Sequence, residues 1–223
     1  MKKIFAILSL TLCLLAAGAM CAFAAAPPKP DKATMEVFQN AEKAYMDKDY
    51  AKAKQLLKPL ADKNHAGAQY ALGMMAAQGD GKAPDFKEAE SWWIKASKGG
   101  HPVAQHSLGM LYSTQALGQP NYTKAREYFT MASKQNFLPS QYVMAMLKIE
   151  GKGGKKDLAG GVKDLQKMAD AGFPPAQFEM GKLHMDGMGV KKDLKKSKDY
   201  FQKAAQAGVP GAGDALQALE GKR

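Results

Sequence analysis

Residues 68–100 read AQYALGMMAAQGDGKAPDFKEAESWWIKASKGG, and residues 176–208 read AQFEMGKLHMDGMGVKKDLKKSKDYFQKAAQAG, three steps of 36 positions further on. The same step links Gln69, Gln105, Gln141 and Gln177 without insertion or deletion. It links Gly73, Gly109 and Gly181, with Ala145 in the remaining copy, and it links Trp93, Phe129, Leu165 and Phe201. Asp85, Asn121, Asp157 and Asp193 form another column; Gly100, Asn136, Gly172 and Gly208 form one more. Chance does not hold so many columns in register, so the chain is a repeat protein.

Each copy reads as two helices. Ala68, Leu72 and Met75 share one helical face, and Gly79-Asp80-Gly81 ends that helix. Asp85, followed three positions later by Glu88, has the spacing of a capping box and predicts the start of the second helix. Phe86, Ala89, Trp93 and Ala96 then make its apolar stripe, which stops at Gly99-Gly100. Pro102, Pro174 and Pro210 fall near the first turns of the helices that follow, where a missing N–H costs nothing. Gly73 and Ala89 are small where two helices must approach closely. A hairpin of this length cannot bury both its faces alone, so neighbouring copies must stack.

The register extends past the four full copies. Tyr50, Ala53, Leu57, Asn64 and His65 lie 36 residues before Phe86, Ala89, Trp93, Gly100 and His101, so residues 33–65 read as a divergent first copy. Residues 66–210 hold the four full copies, and residues 211–223 restart a first helix with no partner after it, as a terminal cap should.

A period of 36, opened by Ala68…Leu72-Gly73 and closed by Asp85…Ala89…Trp93…Lys95-Ala96…Gly99, resembles the Sel-one-like repeat family. The copy nearest to that pattern carries Ala176, Gly181, Gly187, Gly189-Val190, Asp193, Lys203-Ala204-Ala205 and Gly208. Departures are Gln115 and Leu117 in place of loop glycines, and Ala76 and Lys148 where an aromatic is usual. The resemblance implies an all-α fold: a right-handed α/α solenoid of about five two-helix repeats plus a C-terminal capping helix, related to the tetratricopeptide type. It also implies an adaptor or scaffold role. Exported bacterial members of the family serve envelope signalling, secretion or host contact. A cysteine-rich branch is linked to β-lactam binding and hydrolysis, and this chain lacks the paired cysteines that mark that branch.

Residues 1–24 have the order of an export signal: Lys2 and Lys3, an uncharged apolar stretch from Ile4 to Ala17, then Ala22-Phe23-Ala24 as a small-x-small cleavage site. The apolar stretch is shorter than the ~20 residues of a membrane-spanning helix. An uncleaved anchor and a lipid attached at Cys21 are the competing readings; Met20 is larger than the residue a lipidation site wants before its cysteine. Cleavage near Ala24 removes both cysteines, Cys13 and Cys21, so stability must come from packing alone. It also lowers the net charge from +11 to +9 by removing Lys2 and Lys3. Residues 25–32, with Pro27, Pro28 and Pro30, read as an extended leader. The expected location is periplasmic or secreted.

Little in the chain asks for catalysis. The Asp85, Asn121, Asp157 and Asp193 column sits where helix N-caps belong, and Gly187-Met188-Gly189 reads as a turn rather than a phosphate cradle. His65, His101, His106 and His184 have no zinc-ligand spacing, and no serine or cysteine sits in a nucleophile motif. No catalytic residue, metal or cofactor is expected. The leading expectation is an exported protein–protein interaction scaffold that binds a protein or peptide in a concave groove. The alternative is an envelope enzyme, or enzyme activator, acting on peptidoglycan or β-lactams.

By resemblance to tetratricopeptide proteins, the groove would be lined by Tyr70, His106, Tyr142 and Phe178 in one row, with Met74, Met110, Met146 and Lys182 beside it. The competing reading packs this row between adjacent repeats. Lys191, Lys192, Lys195, Lys196 and Lys198 read as a solvated helix face, with a weak contact to an anionic envelope surface as the second reading. Nucleic acid is not an expected partner, because no base-stacking module is present.

Overall fold

The computed structural model describes residues 31–221. Residues 1–30, which include the expected export signal 1–24 with Cys13, Cys21 and the cleavage expected near Ala24, and most of the expected leader 25–32, lie outside the described residues. The described residues form eleven helices and no strand. Two compact units divide them, meeting in sequence between Phe137 and Leu138. The first holds α1 (Lys32–Met46), α2 (Tyr50–Asp62), α3 (Ala66–Gln78), α4 (Phe86–Lys98), α5 (Pro102–Tyr112) and α6 (Tyr122–Ser133). The second holds α7 (Leu138–Glu150), α8 (Leu158–Asp170), α9 (Pro174–Asp186), α10 (Leu194–Gln206) and α11 (Ala212–Glu220). Within each unit every helix packs on the one before it and the one after it, which is the pattern of an α/α solenoid built from hairpins.

Helix boundaries follow the repeat columns. Asp85 Oδ1 accepts from the backbone N–H groups of Lys87 and Glu88, and Asp193 Oδ1 from those of Lys195 and Lys196. Asn121 and Asp157 cap α6 and α8 in the same way, as Asp49 caps α2. These are N-caps, each satisfying donors that the helix cannot. Only half of the expected capping box forms at Asp85. Its own N–H donates to the Ala76 carbonyl at 2.9 Å instead of to Glu88, and the same bond recurs from Asn121 to Tyr112, Asp157 to Lys148 and Asp193 to His184. Each N-cap thus ties its helix to the C-terminal end of the helix before it. Pro102 and Pro174 occupy the first turns of α5 and α9; Pro210 lies before α11, which begins after Gly211.

The second helices end on a left-handed column: Asn64, Gly100, Asn136, Gly172 and Gly208 have φ between 60° and 85°. Glycine takes this conformation freely and asparagine is the side chain that tolerates it best, which explains why Asn136 stands where other copies carry glycine. The next residue's N–H reaches back five positions, as from His101 to Ala96 and from Val209 to Ala204.

Packing inside each hairpin pairs a missing side chain with a large one. A Cβ on Gly109 would stand 2.6 Å from Phe129, and one on Gly181 would stand 2.6 Å from Phe201; both rings are fully buried. The third full copy, at α7 and α8, carries a leucine, Leu165, in place of the ring, and there the facing residue is Ala145. The glutamine column joins one hairpin to the next. Gln69 Nε2 donates to the Ala61 carbonyl, Gln105 to Ser97 and Gln177 to Ala169, each time from a first helix to the preceding second helix. All three amides are buried, so each bond also satisfies a group whose burial unpaired would cost about 1–3 kcal/mol.

Candidate partner-binding surface

The first row of groove candidates spends its rings on packing. Tyr70 is 5% exposed, so it is buried rather than groove-facing. Its ring stacks on His101 at 4.8 Å between centroids and lies 6.4 Å from Trp93, whose indole N–H donates to the Tyr70 carbonyl. His106 lies half-buried, 5.4 Å from both Phe129 and Phe137. In the second unit Tyr142 meets Phe173 at 6.0 Å and Phe178 meets Phe201 at 5.7 Å, both half-buried. The physical reason is common to the row. Each side chain stands beside the small residue of its hairpin and so reaches the large ring of the second helix or the residue that opens the next copy.

The second row is more open. Met110 exposes 43% of its surface, Met74 and Met146 are half-buried, and the Lys182 side chain is 44% exposed. Lys182 pairs with Glu179 at 2.9 Å and its ammonium lies 5.5 Å from the Phe178 ring centre. Glu179 also accepts from the Tyr142 hydroxyl; burial first, then that carboxylate, pushes the phenol up to about 12. In the first unit, Met74 and Met110 therefore form a line of flexible thioether side chains one repeat apart on successive first helices.

The histidines serve the fold. His65 and His101 are N-caps of α3 and α5, with Nδ1 accepting from the backbone N–H of Ala68 and Ala104 at 3.2 Å. Burial holds His101 and His106 at about 4, well below the ordinary imidazole value, so both are neutral. His184 stacks on Tyr200 at 5.8 Å. Among the described residues no group of three or more metal-ligating side chains gathers. Lys191, Lys192, Lys195 and Lys196 are exposed and Lys198 is half-buried.

Sequence reasoning missed a second cross-hairpin column. Tyr112 stacks on Tyr128 at 5.6 Å, Lys148 pairs with Asp164 at 2.6 Å, and His184 faces Tyr200, each pair 36 positions from the last. The joint change of both partners from ring–ring to Lys–Asp was the available signal. It also missed the glutamine bonds, although the unbroken column pointed to a fixed role.

A family model described as Sel1 repeat matches residues 34–65, 66–101, 102–137, 138–173 and 174–209. No curated protein sequence matches the chain. Among solved structures, the chain is similar to a Sel1 repeat protein from Oxalobacter formigenes, with 26% identity, a TM-score of 0.68, and coverage of 80% of this chain and 73% of that one. A protective antigen present in uropathogenic Escherichia coli strains, displaying an SLR fold, is similar at 27% identity and a TM-score of 0.67. That match covers 76% of this chain and 36% of the antigen, so the chain spans about a third of it. A putative Sel1 repeat protein from Klebsiella pneumoniae shares the fold at 14% identity and a TM-score of 0.50.

Proposed function

This chain belongs to the Sel1 repeat family, and from that premise we propose that it is an exported scaffold that holds a protein or peptide partner on the faces of its first helices. Sel1 repeat proteins generally mediate protein–protein interactions. The observation that carries the finer reading is the methionine line at Met74 and Met110. Met110 is 43% exposed although the repeat residues flanking it, Gly109 and Leu111, are buried. Unbranched thioether side chains adapt to irregular apolar partners, and an amphipathic helix or extended peptide laid across successive first helices would meet one such side chain per repeat. In the second unit, Met146 and Lys182 hold the corresponding slots. Export is supported by the order of charge, apolar stretch and small residues in positions 1–24.

The test is a photo-cross-linking amino acid placed at position 110 in one strain and at position 70 in another, with both strains fractionated. The reading expects a discrete protein adduct from position 110 in the envelope fraction and none from position 70. Purified protein should leave both nitrocefin and muropeptides unchanged; turnover of either would replace the scaffold reading with the enzymatic one.

A further inference from the structure

Two lysine pairs, Lys155-Lys156 and Lys191-Lys192, lie 36 residues apart, each directly before the N-cap aspartate of a second helix. The loop after α9 seats on the start of α8: a Cβ on Gly189 would stand 2.9 Å from Val162 and 3.2 Å from Leu158. That contact brings the lysines of both loops to one edge of the second unit, joined by Lys195 and Lys196 from the first turn of α10. All six are exposed, and none makes an ion pair among the described residues. Carboxylates on the same loops and helix ends are Asp157 and Asp193, turned into the helix ends as caps, Asp186 at the end of α9, and Glu150 at the end of α7, which pairs with Lys152 at 2.7 Å. Among these cations stand two of the more exposed large apolar side chains, Met188 at 47% and Leu194 at 50%.

We propose that this edge docks the protein peripherally on an anionic lipid surface. The lysines engage headgroup phosphates while Met188 and Leu194 reach the boundary of the acyl chains. A lipid surface suits the arrangement better than an acidic peptide. The six lysines are all exposed, on two loops and the first turn of α10, and the exposed apolar side chains of Met188 and Leu194 lie among them, as interfacial contacts require. No described helix is long and apolar enough to cross a membrane. This edge is separate from the methionine line, and its test is independent of the partner-binding reading.

The experiment is co-sedimentation of the purified protein with vesicles of phosphatidylcholine alone, and with vesicles of one part phosphatidylglycerol to two parts phosphatidylcholine. Binding is expected only to the anionic vesicles and should weaken as salt is raised. Each lysine removed from the edge should lower the partition coefficient roughly fivefold, so K191E/K192E should lower it at least about twentyfold. Leu194→Ser should lower it a further few-fold, while Lys87→Glu in the first unit should leave it unchanged. Circular-dichroism melts of every variant must match the parent for the comparison to stand, and Lys191→Gln/Lys192→Gln serves if the charge-reversed protein does not fold. Equal binding to neutral vesicles, or no loss with either double variant, would overturn the proposal. So would equally tight binding of soluble poly-glutamate that is insensitive to Leu194→Ser, which would identify an acidic-polymer site instead.

Discussion

Replacing Gly109 by alanine adds one carbon to a helix, a change that ordinarily stabilises by about 1 kcal/mol through propensity. Here it should destabilise. The new Cβ would lie 2.6 Å from two atoms of the Phe129 ring and 2.8 Å from a third, and the ring is fully buried with nowhere to retreat. Overpacking of this kind costs about 1–3 kcal/mol, so a net loss of up to about 2 kcal/mol remains. Phe129→Leu alone leaves a cavity and should cost about 1–2 kcal/mol, less than the 3–5 kcal/mol of a full truncation. The double variant rebuilds the Ala145–Leu165 pairing that the chain itself uses one copy later. Its loss should therefore fall short of the sum of the single losses by at least about 1 kcal/mol. Urea unfolding of the four proteins measures this coupling. Additivity within about 0.5 kcal/mol would refute the claim that ring size and the small facing residue are matched.

Three further outcomes are expected. His101 and His106 have folded values of about 4 against an ordinary value of 6.5, so between these limits the unfolded chain binds protons that the folded chain refuses. Stability is complete above pH ~6.5 and falls toward pH ~4, by about 1–3 kcal/mol for each ring; urea midpoints across this range should flatten in His101→Asn, which keeps the cap, and an unchanged slope would contradict the assignment. Gln105→Leu removes the bond to the Ser97 carbonyl and should cost about 1–3 kcal/mol in thermal or urea unfolding, with Lys134→Ala as an exposed control near zero. Asp193→Ala should cost about 1 kcal/mol through loss of the α10 cap, and Asp193→Asn should recover most of it.

The repeat, its two helices and their caps were legible because each rests on local chemistry repeated in register. An aspartate before a second helix has one obvious use, and five columns agreeing on one period leave no room for another fold. Stacking between copies was harder to see. Tyr70, His106, Tyr142 and Phe178 occupy the slot that lines a groove in tetratricopeptide proteins. Whether such a ring faces solvent depends on what the next copy places opposite, and His101, Phe137 and Phe173 sit more than 30 residues away in sequence. Periodicity within a helix cannot report that. Met110 and Phe178 look alike as large apolar residues on a first helix, yet one is exposed and the other meets Phe201. The His65 and His101 caps were hidden for a related reason: histidine is an uncommon cap, and its Nδ1 acts as one only while that nitrogen carries no proton, a state that burial favours at His101.

The scaffold reading assigns stability to the Tyr70 row and partner binding to the Met110 line, and one paired measurement separates them. Tyr70→Ser and Met110→Ser are compared by circular-dichroism melting and by the yield of the envelope adduct formed through a cross-linker at position 74. Tyr70→Ser should lower the melting temperature sharply, because a buried ring stacked on His101 is lost at a cost of about 3–5 kcal/mol. Met110→Ser should leave the melt within a degree or two and reduce the adduct several-fold. A Tyr70→Ser protein that melts like the parent and loses the adduct, beside a Met110→Ser protein that keeps it, would contradict the account.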